Sequence, residues 1–267
     1  MANLREKPLV SIVIPCFNQR RFLPTLFGSL LDQTYENIEI IFLDDASPDG
    51  SGEGALDYKD ALLAKFPRVY LETNACNLGV LKNLKKGFAM ASGEFLCYLE
   101  ADDYYRRDKI ERNLEFFELN PSYGVVHSDY FQVNNDFRVV PRFAKRHQPG
   151  PSCLFNSGWI FDELLVQNIV CAPSLLVRRD FFLRAFQFDL FEERKYNMAD
   201  YPALLNLSQV TKIGYIDEPL VFDRVPDVSM SHRPVSGEQR ALLERIETVR
   251  RDASWGRLKP LPLVSIL

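Results

Sequence analysis

The sequence predicts an α/β fold, a doubly wound and mostly parallel central sheet flanked by helices, and three observations carry that prediction. Residues 9–17, "LVSIVIPCF", are a continuous β-rich run without polar alternation, the pattern of a strand buried on both faces. Similar runs recur with helix-spaced stretches between them, so strands and helices alternate through the first half. Polar residues gather where the runs stop, which in such sheets is the ligand-binding edge.

After the first strand, "RRFLPTLFGSLLDQ" places Phe22, Leu26 and Leu30, with Leu23 and Phe27, at helical spacing. A crossover helix is expected there, and "IEIIFLDDAS" at 38–47 supplies the next buried strand. The connection should be right-handed. A helix through "GALDYKDALLAKF", a short strand "RVYLE" at 68–72, a helix across "VLKNLKKGFAMA" and the strand "EFLCYL" repeat the alternation. The second half is less regular. "GVVHSDYFQV" at 124–133 predicts a strand, "RFAKRHQPGPSCLFNSG" a long loop, and "VCAPSLLVRRDFFLRA" a strand running into a helix. In "GEQRALLERIETVRRDASW", Leu242, Ile246 and Val249 have helical spacing and predict a C-terminal helix.

The chain has 267 residues, 46% of them hydrophobic, enough for one large domain with an appendage. The formal net charge is −4, so no global basic field exists to hold nucleic acid, which is not an expected partner. Five cysteines are an odd, scattered set without a CxxC pair or His/Cys cluster. Reduced thiols in a cytosolic protein fit them better than a zinc site or disulfide framework. The N-terminal apolar run is short and broken by Pro15, a strand rather than a signal peptide. No stretch approaches the roughly 20 apolar residues of a membrane span, so a soluble, cytoplasmic protein is expected, with peripheral docking at the inner membrane face left open. "PLVSI" at 8–12 recurs at 262–266. It is either a coincidence between two apolar strands or the start of a second copy of the domain.

The strand ends carry the chemistry. Asn18 follows the first strand, Asp44 and Asp45 the second, Asn74 and Asn77 the third, and Glu100, Asp102 and Asp103 the fourth, in "YLEADDYY". Carboxylates crowded in this way repel one another unless a cation or substrate is shared between them. Asp45, Ser47, Asp49 and Gly50 fit the early positions of an EF-hand loop, but its twelfth position is Leu56 instead of Glu, so that reading fails. His127, Ser128 and Asp129 do not imply a hydrolase triad, because consecutive strand residues point to opposite faces. Asp129 remains an acceptor-side contact at best.

The stretches "VSIVIPCFN", "FLPTLFGSLLDQTYENIEIIFLDDASPDGS", "NLGVLKNLKKGFAMASGEFLCYLEADD", "NPSYGVVHSDY", "MADYPALLNL" and "KIGYIDEPLVFDR" follow one another here. In this order and spacing the chain resembles the inverting nucleotide-sugar glycosyltransferases of family 2, which have the GT-A fold. The resemblance implies a donor site at Pro15, Phe17, Asn18, Asp44, Asp45, Asn77, Gly79, Lys82, Asn83, Ala101 and Asp102, with Asp45 on the nucleotide base. "EADD" occupies the place of the family's DXD motif. A divalent cation, Mn²⁺ or Mg²⁺, is thereby implied on Asp102, with Glu100 and Asp103 beside it, shared with the diphosphate of a donor, UDP-sugar foremost. Asp200 is implied as the general base toward a saccharide or lipid-linked saccharide acceptor. This sequence departs from the pattern at Lys82, where Arg is usual, at Glu100, where Asp is usual, and at Ala199, where Glu is usual.

Plainer readings stand beside these: a solvated turn for Asp49 and Gly50, a helix cap for Asn77, and a helix N-terminal carboxylate for Asp200. The rival function is a non-catalytic module that keeps the fold and the sugar-nucleotide site. A sugar-phosphate nucleotidyltransferase should show a glycine-rich phosphate loop, which "PCFNQRRF" lacks. The expected organisation is a GT-A domain over 1–225, with a donor half at 1–105 and an acceptor half at 106–225. A mobile loop containing His232 and Arg233 and a C-terminal helix would follow over 226–257, and a tail over 258–267 would begin any second glycosyltransferase domain.

Overall fold

The computed structural model describes residues 7–139, 157–166, 168, 170–194, 196 and 199–225. The expected C-terminal helix, the loop with His232 and Arg233, the repeated "PLVSI" and Cys153 lie outside the described residues.

The buried runs become the centre of an eight-stranded sheet. Strand β1 (Val10–Cys16) pairs in parallel with β2 (Ile38–Asp44) on one side and β4 (Phe95–Tyr98) on the other, and β3 (Arg68–Thr73) extends β2 in parallel. Apolar residues on both faces of β1 and β2 leave these strands almost wholly buried, so their ladder is shielded from water. Helix α1 (Leu23–Leu31) buries Leu23, Leu26, Phe27 and Leu30 on the spacing the sequence shows. The segment expected to be a single helix divides into α2 (Ser51–Leu56) and α3 (Lys59–Lys65), with Asp57 and Tyr58 between them. Helix α4 (Val80–Met90) packs unusually close to the sheet. A Cβ on Gly87 would stand 2.4 Å from Val13 Cγ1, so only glycine permits that approach.

Beyond β4 the sheet changes character. Its order is β3-β2-β1-β4-β7-β6-β8-β5, with β5 (Tyr104–Tyr105), β6 (Tyr123–Val133), β7 (Leu176–Arg178) and β8 (Lys212–Arg224). Strand β7 runs antiparallel to both β4 and β6, β5 runs antiparallel to β8, and β6 and β8 are parallel. The parallel expectation therefore holds across the first half, while three antiparallel pairings make the second half mixed. Helices α5 (Lys109–Leu119), α6 (Phe161–Val166), α7 (Arg179–Ala185), α8 (Phe188–Glu193) and α9 (Asp200–Val210) complete the described fold. Two apolar clusters result. One, around Val13, Tyr98 and Phe191, takes in α4, α7 and α9; the other, around Ile12, Phe42 and Phe117, takes in α1 and α5.

Because β1 to β4 are parallel, their carboxyl ends share one rim. The ends of β6 and β8 reach the same rim, since β7 turns the sheet's direction twice. The β6–β8 ladder is irregular at Ser128, Asp129 and Tyr130, which bends the ribbon where it leaves the core. Cys16, Cys97 and Cys171 are buried free thiols as expected, whereas Cys76 is exposed on the loop after β3.

Candidate functional site

The loops after β1, β2 and β3 are tied together by a polar network centred on Asp45. Asp45 is 3% exposed. Its Oδ1 accepts from Asn74 Nδ2 at 2.9 Å and from the Leu78 N–H at 2.8 Å, and its Oδ2 accepts from the Gly79 N–H at 2.9 Å. Asn74 Nδ2 also donates to Asn83 Oδ1 at 2.8 Å, Asn83 Nδ2 donates to the Leu43 carbonyl at 2.9 Å, and Lys86 Nζ donates to Asn74 Oδ1 at 2.9 Å. Gly79 can present its N–H here because its φ is +83°, the region glycine enters without strain. Asn77 Oδ1 accepts from the same N–H at 3.1 Å. Asp44 closes its own turn, with Ser47 N donating to Oδ2 at 3.1 Å and Ser47 Oγ to Oδ1. Asn18 and Ala46 both have positive φ, 58° and 56°. For alanine that costs roughly 1 kcal/mol or more, and such strain concentrates at binding loops. The Asn18 N–H donates to Ser47 Oγ at 2.9 Å, which joins the two strained loops.

Beside this network the chain gathers negative charge. Glu100, Asp102 and Asp103 follow β4, Asp200 opens α9, and Asp223 precedes the last residue of β8. Burial raises the Glu100 carboxyl above its ordinary range, and the charges of Asp102, Asp200 and Asp223 raise it further. Glu100 keeps more than a third of its surface open to water, so solvent screens part of that rise. Asp102 is raised by burial, against opposing help from the Arg224 charge, a Gln19 hydrogen bond and the Arg21 charge. Burial pushes Asp103 well up, and Asp223, Asp102 and Glu100 add to it. Asp200 is raised by burial although backbone N–H groups at the start of α9 favour its charge. Asp103 Oδ2 and Asp200 Oδ1 are buried and accept no hydrogen bond.

A cluster of this kind fits a cation. Among the described residues, no three His, Cys, Asp or Glu side chains form a ready-made cage. A hard divalent ion taking six or more oxygens would therefore hold one or two carboxylates here and draw its remaining ligands from a bound diphosphate or water.

The structure thus brings Asn18, Asp44, Asp45, Asn77, Gly79, Glu100, Asp102, Asp103 and Asp200 to one rim. Phe17 is 45% exposed there and Lys82 is exposed on α4, while Pro15 lies half-buried within β1 and Ala101 is buried under the turn. Asn83 and Asp44 already hold protein partners, and three of the roughly four lone-pair sites of the Asp45 carboxylate are occupied, leaving one for a ligand N–H. Sequence reasoning assigned no role to Asp223, Arg224 or Gln19. The pair "DR" closing a strand was visible, but only the pairing of β8 with β6 and β5 shows that this strand ends beside the turn that follows β4. His127 is buried with its ring 5.1 Å from that of Tyr215, and burial lowers its pKa to about 4, so it is neutral near pH 7. No helix among the described residues is long and apolar enough to cross a membrane.

Known proteins share this fold. The glycosyl transferase family 2 signature matches residues 11–182. The Bacillus subtilis glycosyltransferase TuaG, assigned to teichuronic acid biosynthesis, is 36% identical over 174 residues, which is 65% of this chain and 64% of that protein. The hyaluronan synthase of Pasteurella multocida is 26% identical over 225 residues, 84% of this chain and 21% of that protein. The chain therefore spans less than two thirds of the length of these relatives. Among solved structures, S. aureus TarS with UDP-GlcNAc superposes with a TM-score of 0.64 at 16% identity, covering 97% of this chain and 69% of that one. The Pyrobaculum calidifontis mannosyltransferase PcManGT with GDP-Man and Mn²⁺ gives 0.64 at 15% identity, covering 96% and 66%. A parallel β3-β2-β1-β4 half, a mixed second half and acidic loops at their common rim are the GT-A fold, and the chain belongs to glycosyl transferase family 2.

Proposed function

We propose that this chain transfers a sugar, with inversion, from a nucleotide-diphospho-sugar to a saccharide hydroxyl. The observation that carries the reading is the pairing of two unlike polar sites on one rim: a satisfied network that shapes a pocket, and an unsatisfied acidic cluster next to it. The loops around Asp45, Asn77 and Gly79 would hold the nucleoside, with the Asp45 carboxylate accepting from a base N–H and the exposed Phe17 ring available to stack. Exposed Lys82 would offset diphosphate charge. Asp102, with Glu100 and Asp103 behind it, would hold Mn²⁺ or Mg²⁺. Bound there, the ion would offset the charge that grows on the departing diphosphate.

Asp200 is the proposed base. An acceptor hydroxyl beside it would lose its proton to the carboxylate as the oxygen bonds to the anomeric carbon, while the bond from that carbon to the diphosphate oxygen breaks and the nucleoside diphosphate leaves with the electron pair. The raised pKa of Asp200 makes it a stronger base than a solvated aspartate. A UDP-linked donor is the leading choice, in keeping with the UDP-GlcNAc held by TarS. A growing surface polysaccharide or a lipid-linked saccharide at the cytoplasmic face of the membrane is the proposed acceptor, in keeping with the polysaccharide-forming relatives.

The test is nucleotide release and anomeric configuration, measured across UDP-, GDP- and dTDP-sugars with oligosaccharide acceptors and Mn²⁺. We expect an inverted product, and for Asp200→Asn a loss of about 10³-fold or more in kcat with donor binding retained. Nucleotide binding without turnover on every donor and acceptor would leave only a sugar-nucleotide-binding module.

A further inference from the structure

The last residue of β8 has no part in the mechanism above, yet it holds the acidic turn at two points and ties it to the turn after β6. Arg224 is 5% exposed. Its backbone N–H donates to Asp103 Oδ1 at 2.7 Å, its Nε donates to the Asp102 carbonyl at 2.9 Å, and its Nη1 donates to the Asn134 carbonyl at 2.6 Å. The guanidinium carbon lies 4.3 Å from the ring centroid of Phe22, in the turn after β1, and 4.3 Å from that of Phe137, in the turn after β6. We propose that Arg224 is a positioning residue for the cation site, fixing the aim of the Asp102 carboxylate by clamping the Asp102–Asp103 peptide. The inference rests on the reading of Asp102 as a metal ligand.

Two features argue that this is more than general packing. Holding the Asp102 carbonyl and the Asp103 carboxylate from one residue fixes the peptide plane between them, and with it the direction in which the Asp102 side chain leaves the backbone. A planar guanidinium does this while stacked between two rings, whereas a lysine ammonium offers one point of charge and no plane. The second feature is strain. Phe137 has φ 61°, which a bulky residue adopts only when its surroundings enforce it. The turn is closed by the Phe137 N–H donating to the Asn134 carbonyl at 3.0 Å and the Asn134 N–H donating to the Arg138 carbonyl at 3.0 Å. The strained residue supplies one wall of the stack, and the carbonyl that closes its turn also receives Nη1. Arg224 Nη2 and Asp103 Oδ2 are both buried and without a hydrogen-bond partner. The clamp thus retains one donor and one acceptor for whatever completes the site.

The experiment compares Arg224→Lys, Arg224→Gln and Phe137→Leu with the wild type. Mn²⁺ affinity is read by electron paramagnetic resonance of free Mn²⁺ in the presence of UDP, alongside the Mn²⁺ dependence of nucleotide release. Both arginine variants should weaken Mn²⁺ binding about tenfold, the size typical of residues that orient a ligand, with kcat at saturating Mn²⁺ within about threefold of wild type. Phe137 is 42% exposed, so its replacement is safe for folding even if the arginine variants fail to fold, and it should weaken Mn²⁺ binding about threefold. Wild-type affinity in Arg224→Lys would show that charge alone matters and overturn the inference, as would unchanged affinity in Phe137→Leu. A wild-type protein that binds no Mn²⁺ with UDP would overturn the metal reading and this inference together.

Discussion

Two acidic groups occupy the same rim a strand or two apart, and they are in opposite states. The carboxylate of Asp45, at the end of β2, accepts three hydrogen bonds from Asn74, Leu78 and Gly79, and every neighbour in its network is itself partnered. At the end of β4, Glu100, Asp102 and Asp103 repel one another and face Asp200 and Asp223, and the buried Asp103 Oδ2 and Asp200 Oδ1 accept nothing. The first group is a completed piece of architecture, so a ligand there would meet a preformed surface. The second is stabilised only in part from within, by Arg224 and Arg21, and carries charge that favours an added cation. Buried polarity alone does not mark a binding site. At the end of β4 the unsatisfied oxygens coincide with crowded carboxylates, and that combination is what favours a cation.

If the contrast is right, equivalent substitutions should do opposite things. Asp102→Asn should lower nucleotide release about 10³-fold, the scale of losing a key electrostatic contact, while leaving the metal-free protein at least as stable as wild type, because a repelled charge is removed. Asp45→Asn should act first on stability. Its amide can accept at one atom only, and the other becomes a donor facing either the Gly79 N–H or the Leu78 N–H and Asn74 Nδ2, so about 2–3 kcal/mol should be lost in urea denaturation. A stable Asp45→Asn together with an unstable Asp102→Asn would reverse the assignment of the two groups.

A smaller effect sharpens the same comparison. The Glu100 pKa is raised by burial and by Asp102, Asp200 and Asp223 from 4.5 to about 8, so its contribution to stability is complete below pH 4.5 and is lost as pH rises toward 8. Glu100→Gln should therefore raise the melting temperature of the metal-free protein by about 2 °C at pH 8, trimmed by water at its exposed edge, and change it little at pH 4. Thermal scans at the two pH values check this. A gain at pH 4 that disappears at pH 8 would contradict it.

The first half of the fold was legible because its signals are local. Runs such as "LVSIVIPC" can hide both faces only inside a parallel sheet, and Leu23, Leu26, Phe27 and Leu30 declare their helix by spacing alone. The second half was not, because β7 is three residues long and its place between β4 and β6 depends on pairings that no local pattern encodes. The site followed the same division. Asp45, Gly79 and Asp102 sit where parallel strands end and could be found from the chain. Asp223 and Arg224 join them only because β8 pairs with β5 and β6, and an Asp-Arg pair at a strand end has no distinguishing mark before that pairing is known. The inner role of Asn83 was equally hidden, since a polar residue on a helix gives no sign that it reaches across to the Leu43 carbonyl.

The most direct test of the account is the melting temperature of the wild type and of Asp102→Asn, titrated with Mn²⁺ and UDP together at pH 7.5. A ligand at one hundred times its dissociation constant stabilises the folded form by about 2.7 kcal/mol, a shift of several degrees. The account predicts that shift in the wild type and its absence in Asp102→Asn. An equal shift in both proteins, or none in the wild type, would contradict the claim that the acidic cluster is a cation-diphosphate site.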